Sequence, residues 1–108
     1  MLHGLRLANG WQLRAYLTPG RPGRNALHLI FTDQRNGPVM VPSLPVVTAS
    51  QGRSTRTFQV IRLAEPAPTP NHFYAGGTFT AGRWNFQVAA VAGDGARLTP
   101  QFSLTVKR

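Results

Sequence analysis

Residues 11–18 alternate strictly. Trp11, Leu13, Ala15 and Leu17 fall on one side, and Gln12, Arg14, Tyr16 and Thr18 on the other. Side chains of a strand point to opposite faces with a period of two, so this stretch predicts a strand with one face buried and one wet. The tail repeats the pattern: Leu98, Phe102, Leu104 and Val106 alternate with Thr99, Gln101, Ser103, Thr105 and Lys107. In residues 26–32, Leu27, Leu29 and Phe31 point inward while His28 and Thr32 take the other face. Residues 84–92 place Trp84, Phe86, Val88, Ala90 and Ala92 on one face. Opposite them stand Asn85 and Gln87, then Ala89 and Val91, which predicts a central strand covered on both sides toward its end.

Three stretches are less regular. Residues 55–63 hold Phe58 and Val60 in one phase and Ile61 and Leu63 in the other, which predicts a β-bulge. Residues 71–79 read as a shorter strand broken at Gly76-Gly77. Residues 39–49 are rich in β-formers but contain Pro42 and Pro45, and proline has no N–H for a ladder. That segment is expected to be irregular or an edge, open to strand addition by a partner. Turn chemistry separates the strands: "TPGRPGRN", "DQRNGP", "SQGRS", "EPAPTPN" and "GDG". About seven strands without a helical period predict an all-β fold, an immunoglobulin-like β-sandwich, over a single domain spanning residues 1–108. The two Pro-Gly pairs suit tandem type II turns forming a rigid connection between sheets, and "EPAPTP" reads as a stiff crossover between sheets. Arg21 and Arg24 beside the turned amides make the first connection a candidate anion or partner surface.

A set of these positions resembles the YtkA-like domain, found at the C-terminal, extracytoplasmic end of CopD/YcnJ-type copper transport proteins. The positions are Pro19, Gly20, Pro22, Gly23 and Asn25; Asp33; Gly37, Pro38 and Val39; Tyr74 and Ala75; and Gly82, Trp84, Phe86 and Val88. The likeness runs from about Trp11 to Arg108 and departs over residues 41–63. It implies a β-sandwich on the periplasmic or outer side of a membrane, beside a copper-transporting protein or attached to it. It implies an accessory role in copper transport or resistance and carries no catalytic residue.

Charge and donor inventory bear on this expectation. Twelve Lys and Arg face three acids, for a net charge of +9, and eleven of the twelve bases are Arg. Such an excess favours an anionic partner, whether acidic protein, anionic lipid or nucleic acid. The bases are scattered, with no run and no shared helix face, which disfavours nucleic acid. Without cysteine, copper would have to be held by His or Met. The candidates are His28, His72 and Met40, with Met1 and His3 near the start. They form no H-x-H or M-x-M pair, but a sandwich can join distant strands, and His28 with His72 is the pair to inspect. The acids Asp33, Glu65 and Asp94 suit turns, and no nucleophile motif is present, so no enzyme is expected. Trp11, Trp84, Phe31, Phe58, Phe86 and Phe102 are expected in the core, and Tyr16 and Phe79 at the surface. The first ten residues lack the apolar stretch of a secretory signal, so the chain is expected to be cytosolic or a domain of a longer protein.

Overall fold

The computed structural model describes residues 3–58, 60–63 and 69–108, His3 by its backbone alone. Ten strands follow in order: β1 (His3–Arg6), β2 (Gln12–Thr18), β3 (Gly23–Thr32), β4 (Val46–Gln51), β5 (Ser54–Phe58), β6 (Ile61–Arg62), β7 (His72–Phe79), β8 (Gly82–Val91), β9 (Arg97–Leu98) and β10 (Gln101–Val106). They form two antiparallel sheets, β1-β2-β3-β7-β6 and β10-β8-β4-β5, with β9 added beside β8. The chain is an all-β sandwich. Apart from the short β1 and β9, the order matches the A-B-E-D and G-F-C-C′ sheets of immunoglobulin-like domains.

The alternation in the sequence is what forms this sandwich. In β2, Leu13, Ala15 and Leu17 are buried, and in β3 Leu27, Leu29 and Phe31; in β8 Trp84, Phe86, Val88 and Ala90 are buried, and in β10 Phe102, Leu104 and Val106. All of them join one core cluster between the sheets. Trp11 and Phe58 pack on its margin. The Trp84 indole N–H donates to the Thr80 carbonyl at 2.9 Å, so the largest core side chain also pins the β7–β8 corner.

Several expectations are corrected. Phe79 is 1% exposed, not a surface residue. It stacks on Phe58 across the sandwich at 5.4 Å and meets Trp84 edge-on at 5.0 Å. The Gly76-Gly77 pair does not break β7, which runs unbroken from His72 to Phe79. Gly77 is required because a Cβ there would run into the Phe58 ring, whereas a Cβ on Gly76 would meet nothing within 4 Å. We expect Gly77→Ala to cost about 1–3 kcal/mol by overpacking. Gly76→Ala should be neutral or stabilise by up to about 1 kcal/mol through the unfolded state. Urea denaturation of the two variants checks the pair, and equal effects would contradict the packing.

The phase change in residues 55–63 is not a bulge. β5 pairs with β4 in one sheet and β6 with β7 in the other, so the chain changes sheets between them. Val60 is accordingly buried and Ile61 exposed. The outer face at the end of β8 is not covered: Ala89 and Val91 are exposed. Residues 39–45 carry no strand and are irregular, as one of the two expectations had it; the isolated bridge between Thr32 and Pro38 lies just before them, and the stretch offers no ladder edge. The tandem Pro-Gly stretch joins β2 to β3, neighbours in one sheet rather than strands of different sheets. The "EPAPTPN" stretch likewise joins β6 to β7 within one sheet, and its residues 64–68 lie outside the described residues.

Candidate metal centre

Asn25 explains why the Pro-Gly stretch holds its shape. It is 5% exposed, yet its amide is fully engaged. Its Oδ1 accepts from the Gly20 N–H at 2.6 Å, and its Nδ2 donates to the Arg21 and Gly23 carbonyls. Gly20 and Gly23 both have positive φ, a conformation only glycine takes without strain. The positive φ at Gly20 and Gly23 is what a type II turn needs at its third residue, but among the described residues it is the Asn25 side chain rather than a turn backbone bond that closes the bend. The Gly20 amide is consumed by Asn25, so it is not free for an anion. Arg21 lies toward the end of β10, while Arg24 stands exposed on β3 opposite Thr78. Asp33 and Asp94 are turn residues as expected: Asp33 accepts from the Arg35 and Gly37 amides and Asp94 from the Ala96 amide.

The outer face of the first sheet holds the chemistry. Because Leu27, Leu29 and Phe31 face the core, His28 must face out. On β7, Phe73 and Ala75 face the core, so His72 and Tyr74 also face out. The ladder then brings them together. Tyr16, His28 and Tyr74 stand opposite one another on β2, β3 and β7, and His72 pairs with Ile30, one step diagonal from His28. Diagonal neighbours on one face are within reach of long or aromatic side chains.

In this arrangement His28 Nδ1 and His72 Nε2 lie 3.1 Å apart. The His28 ring stacks on Tyr16 with centroids 4.5 Å apart and planes 6° from parallel, and Tyr74 flanks its other side at 6.2 Å. The remaining ring nitrogen, Nε2, is 3.2 Å from Thr18 Oγ1. The imidazole is thus fixed in plane by two phenol rings and in rotation by a hydroxyl. A metal-ligating histidine ordinarily has such a partner on its second nitrogen. Sequence reading found both histidines but missed Tyr16, Thr18 and Tyr74 as their supports. Their shared polar phase on β2 and β7 was the available signal.

Both imidazoles titrate below the ordinary histidine value of 6.5, His28 through burial and then the charge of His72, and His72 through burial. Both are therefore neutral near pH 7, the form that offers a lone pair to a metal. The same shifts bear on stability. As pH falls below 6.5 the unfolded chain takes up protons before the native one does, so folding weakens from there down to the native pKa values. We expect stability to be level between pH 7 and 9 and to fall below about pH 6.5. Urea midpoints across that range, with a His28→Ala/His72→Ala chain as reference, check it. An unchanged slope in the double variant would contradict this origin.

The other candidates do not join the pair. Met40 is 60% exposed in the connection between β3 and β4, and among the described residues it is not one of the groups bonded to or stacked on either histidine. Met1 and the His3 side chain lie outside the described residues, as does Glu65. Among the described residues no three His, Cys, Asp or Glu gather into one cluster. Not every base is available to a partner. Arg62 donates to the Val41, Thr69 and Pro70 carbonyls and lies 4.8 Å from the Phe73 ring centre, and Arg56 donates to the Thr78 carbonyl across the two sheets.

The geometry of the pair can be tested against a metal. Nitrogens 3.1 Å apart subtend about 98° at an ion held about 2.05 Å from each. That angle suits adjacent corners of a square plane or a slightly closed tetrahedron. The proton now shared between the two nitrogens would move to the far side of one ring. His28 would keep its proton on Nε2, donated to Thr18 Oγ1, and His72 would carry its proton on Nδ1. Two imidazoles without sulfur favour a borderline ion such as Cu(II) over Cu(I), which prefers thiolate and thioether. No family model, curated protein or solved structure matches this chain.

Proposed function

We propose that this chain is a non-enzymatic, extracytoplasmic copper-handling module that presents Cu(II) on the outer face of its first sheet to a membrane copper-transport protein. The observation that supports this reading is the His28–His72 pair, two neutral imidazoles 3.1 Å apart on an exposed face, oriented by Tyr16 and Thr18. The likeness of the Pro-Gly, Tyr-Ala and Gly-x-Trp segments to the YtkA-like domain supplies the copper context. Two protein nitrogens leave the rest of the coordination shell to water or to a donor from a partner. An ion held this way can be passed on, whereas a closed four-ligand site would retain it. The scattered bases give little support to docking on anionic lipid, since Arg14 and Arg24 lie on one sheet and Arg56 and Arg83 on the other.

Competition titration with a chromophoric Cu(II) chelator at pH 7.5 tests the reading. The expected result is one Cu(II) per chain with micromolar or tighter affinity, weakening below pH 6.5 as the imidazoles take up protons. Absence of saturable binding overturns it.

A further inference from the structure

A second feature, at the opposite edge of the sandwich, points to a protein partner. β10 is an edge strand: it pairs with β8 from Gln101↔Gln87 to Val106↔Gly82, and the sheet ends there. In an antiparallel ladder, alternate residues turn their backbone groups toward the neighbour and the others turn them away. The Val88 N–H donates to the Pro100 carbonyl, which sets the phase. Residues 102, 104 and 106 bond to β8, and Gln101, Ser103, Thr105 and Lys107 turn theirs outward. The Lys107 N–H confirms this by donating to the Gly20 carbonyl. Among the described residues, no backbone bond is recorded on the outward side of Ser103 or Thr105.

Beside this edge runs a cleft of about 520 Å³ between β10 and the end of β2. The apolar Leu17 and Leu104 line it, and Arg21, Lys107 and Arg108 border it without an acid among the lining residues. Of the other edges, β1 is a four-residue strand and two more differ from β10 in other ways. β5 is tied to the opposite sheet by Arg56, and β6 has only two residues.

We propose that the β10 edge is a docking groove for an extended acidic segment of a partner polypeptide, which adds as a strand beside Ser103 and Thr105. The added strand would complete the outward hydrogen bonds, set one apolar side chain against Leu17 and Leu104, and bring carboxylates to Arg21, Lys107 and Arg108. Charge selects the occupant. A second copy of this chain would bring the same +9 excess, whereas an acidic segment offsets it. The groove is independent of the histidine pair, so it stands or falls separately from the copper reading.

The probe is acetyl-Glu-Val-Glu-Val-Glu-Val-Glu-amide, added to the metal-free domain and followed by amide NMR. Saturable shifts centred on Ser103 and Thr105, weakening with salt, are expected. Two N-methylated versions of the peptide, blocked at alternate amides in opposite phases, separate strand addition from simple attraction. One phase should lose more than tenfold in affinity and the other should bind like the parent. Thr105→Pro removes an outward donor that β8 does not use, and should weaken the parent peptide to the same degree. Equal binding of both methylated peptides, shifts centred on another face, or no saturation at millimolar peptide overturns the proposal.

Discussion

On the proposed reading, Cu(II) affinity is expected to fall more than about 100-fold in His28→Ala and in His72→Ala, and only about tenfold in Thr18→Ala. The scale follows from the geometry. Each histidine supplies one of the two nitrogens that face each other at 3.1 Å, so removing either leaves a single imidazole. Thr18 touches only the far nitrogen of His28, and changes to such supporting partners cost roughly 10–100-fold. Both histidines lie outside the core cluster, so the variants should fold. The loss of the Tyr16 stack in His28→Ala is expected to cost about 0.5–1.5 kcal/mol of stability. Equal, small effects from all three variants would mean that copper sits elsewhere. Competition titration, with thermal melts to confirm folding, reads both quantities.

The second large effect is on the fold. Phe79→Ala should lower the free energy of unfolding by about 3–5 kcal/mol, the range for deleting a buried aromatic ring. Phe79 fills the space between three aromatic neighbours, Phe58, Trp84 and Phe86. Trp84 and Phe86 belong to the core cluster and Phe58 packs against it, so these rings have little freedom to refill the cavity. A domain of this size typically has about 5–15 kcal/mol in total, so the variant should be partly unfolded at 37 °C. Urea denaturation by tryptophan fluorescence measures it. A loss below about 1 kcal/mol would contradict the placement of Phe79 in the core.

What could be read from the sequence follows from the two-residue period of a strand. Where one face is polar, as in β2, β3, β8 and β10, the alternation alone identifies inward and outward residues. That is why His28 could be placed on the wet face. Phe79 was misplaced because two glycines interrupt the pattern before it, and the reason for Gly77 lies 19 positions away at Phe58. Residues 55–63 show a phase shift, but a bulge and a change of sheet leave the same local trace. Only the pairing of β5 with β4 and β6 with β7 decides between them. The meeting of His28 and His72 spans 44 residues and depends on the β3–β7 register, which no local pattern encodes. Asn25 was closer to legible, since an Asn beside Pro-Gly often bonds to nearby backbone.

The most direct measurement is electron paramagnetic resonance of the domain loaded with one equivalent of Cu(II) at pH 7.5. The account predicts a single species with two imidazole nitrogens coupled to the copper, reduced to one in either His28→Ala or His72→Ala. A spectrum of unbound copper, or one that neither substitution changes, would contradict it.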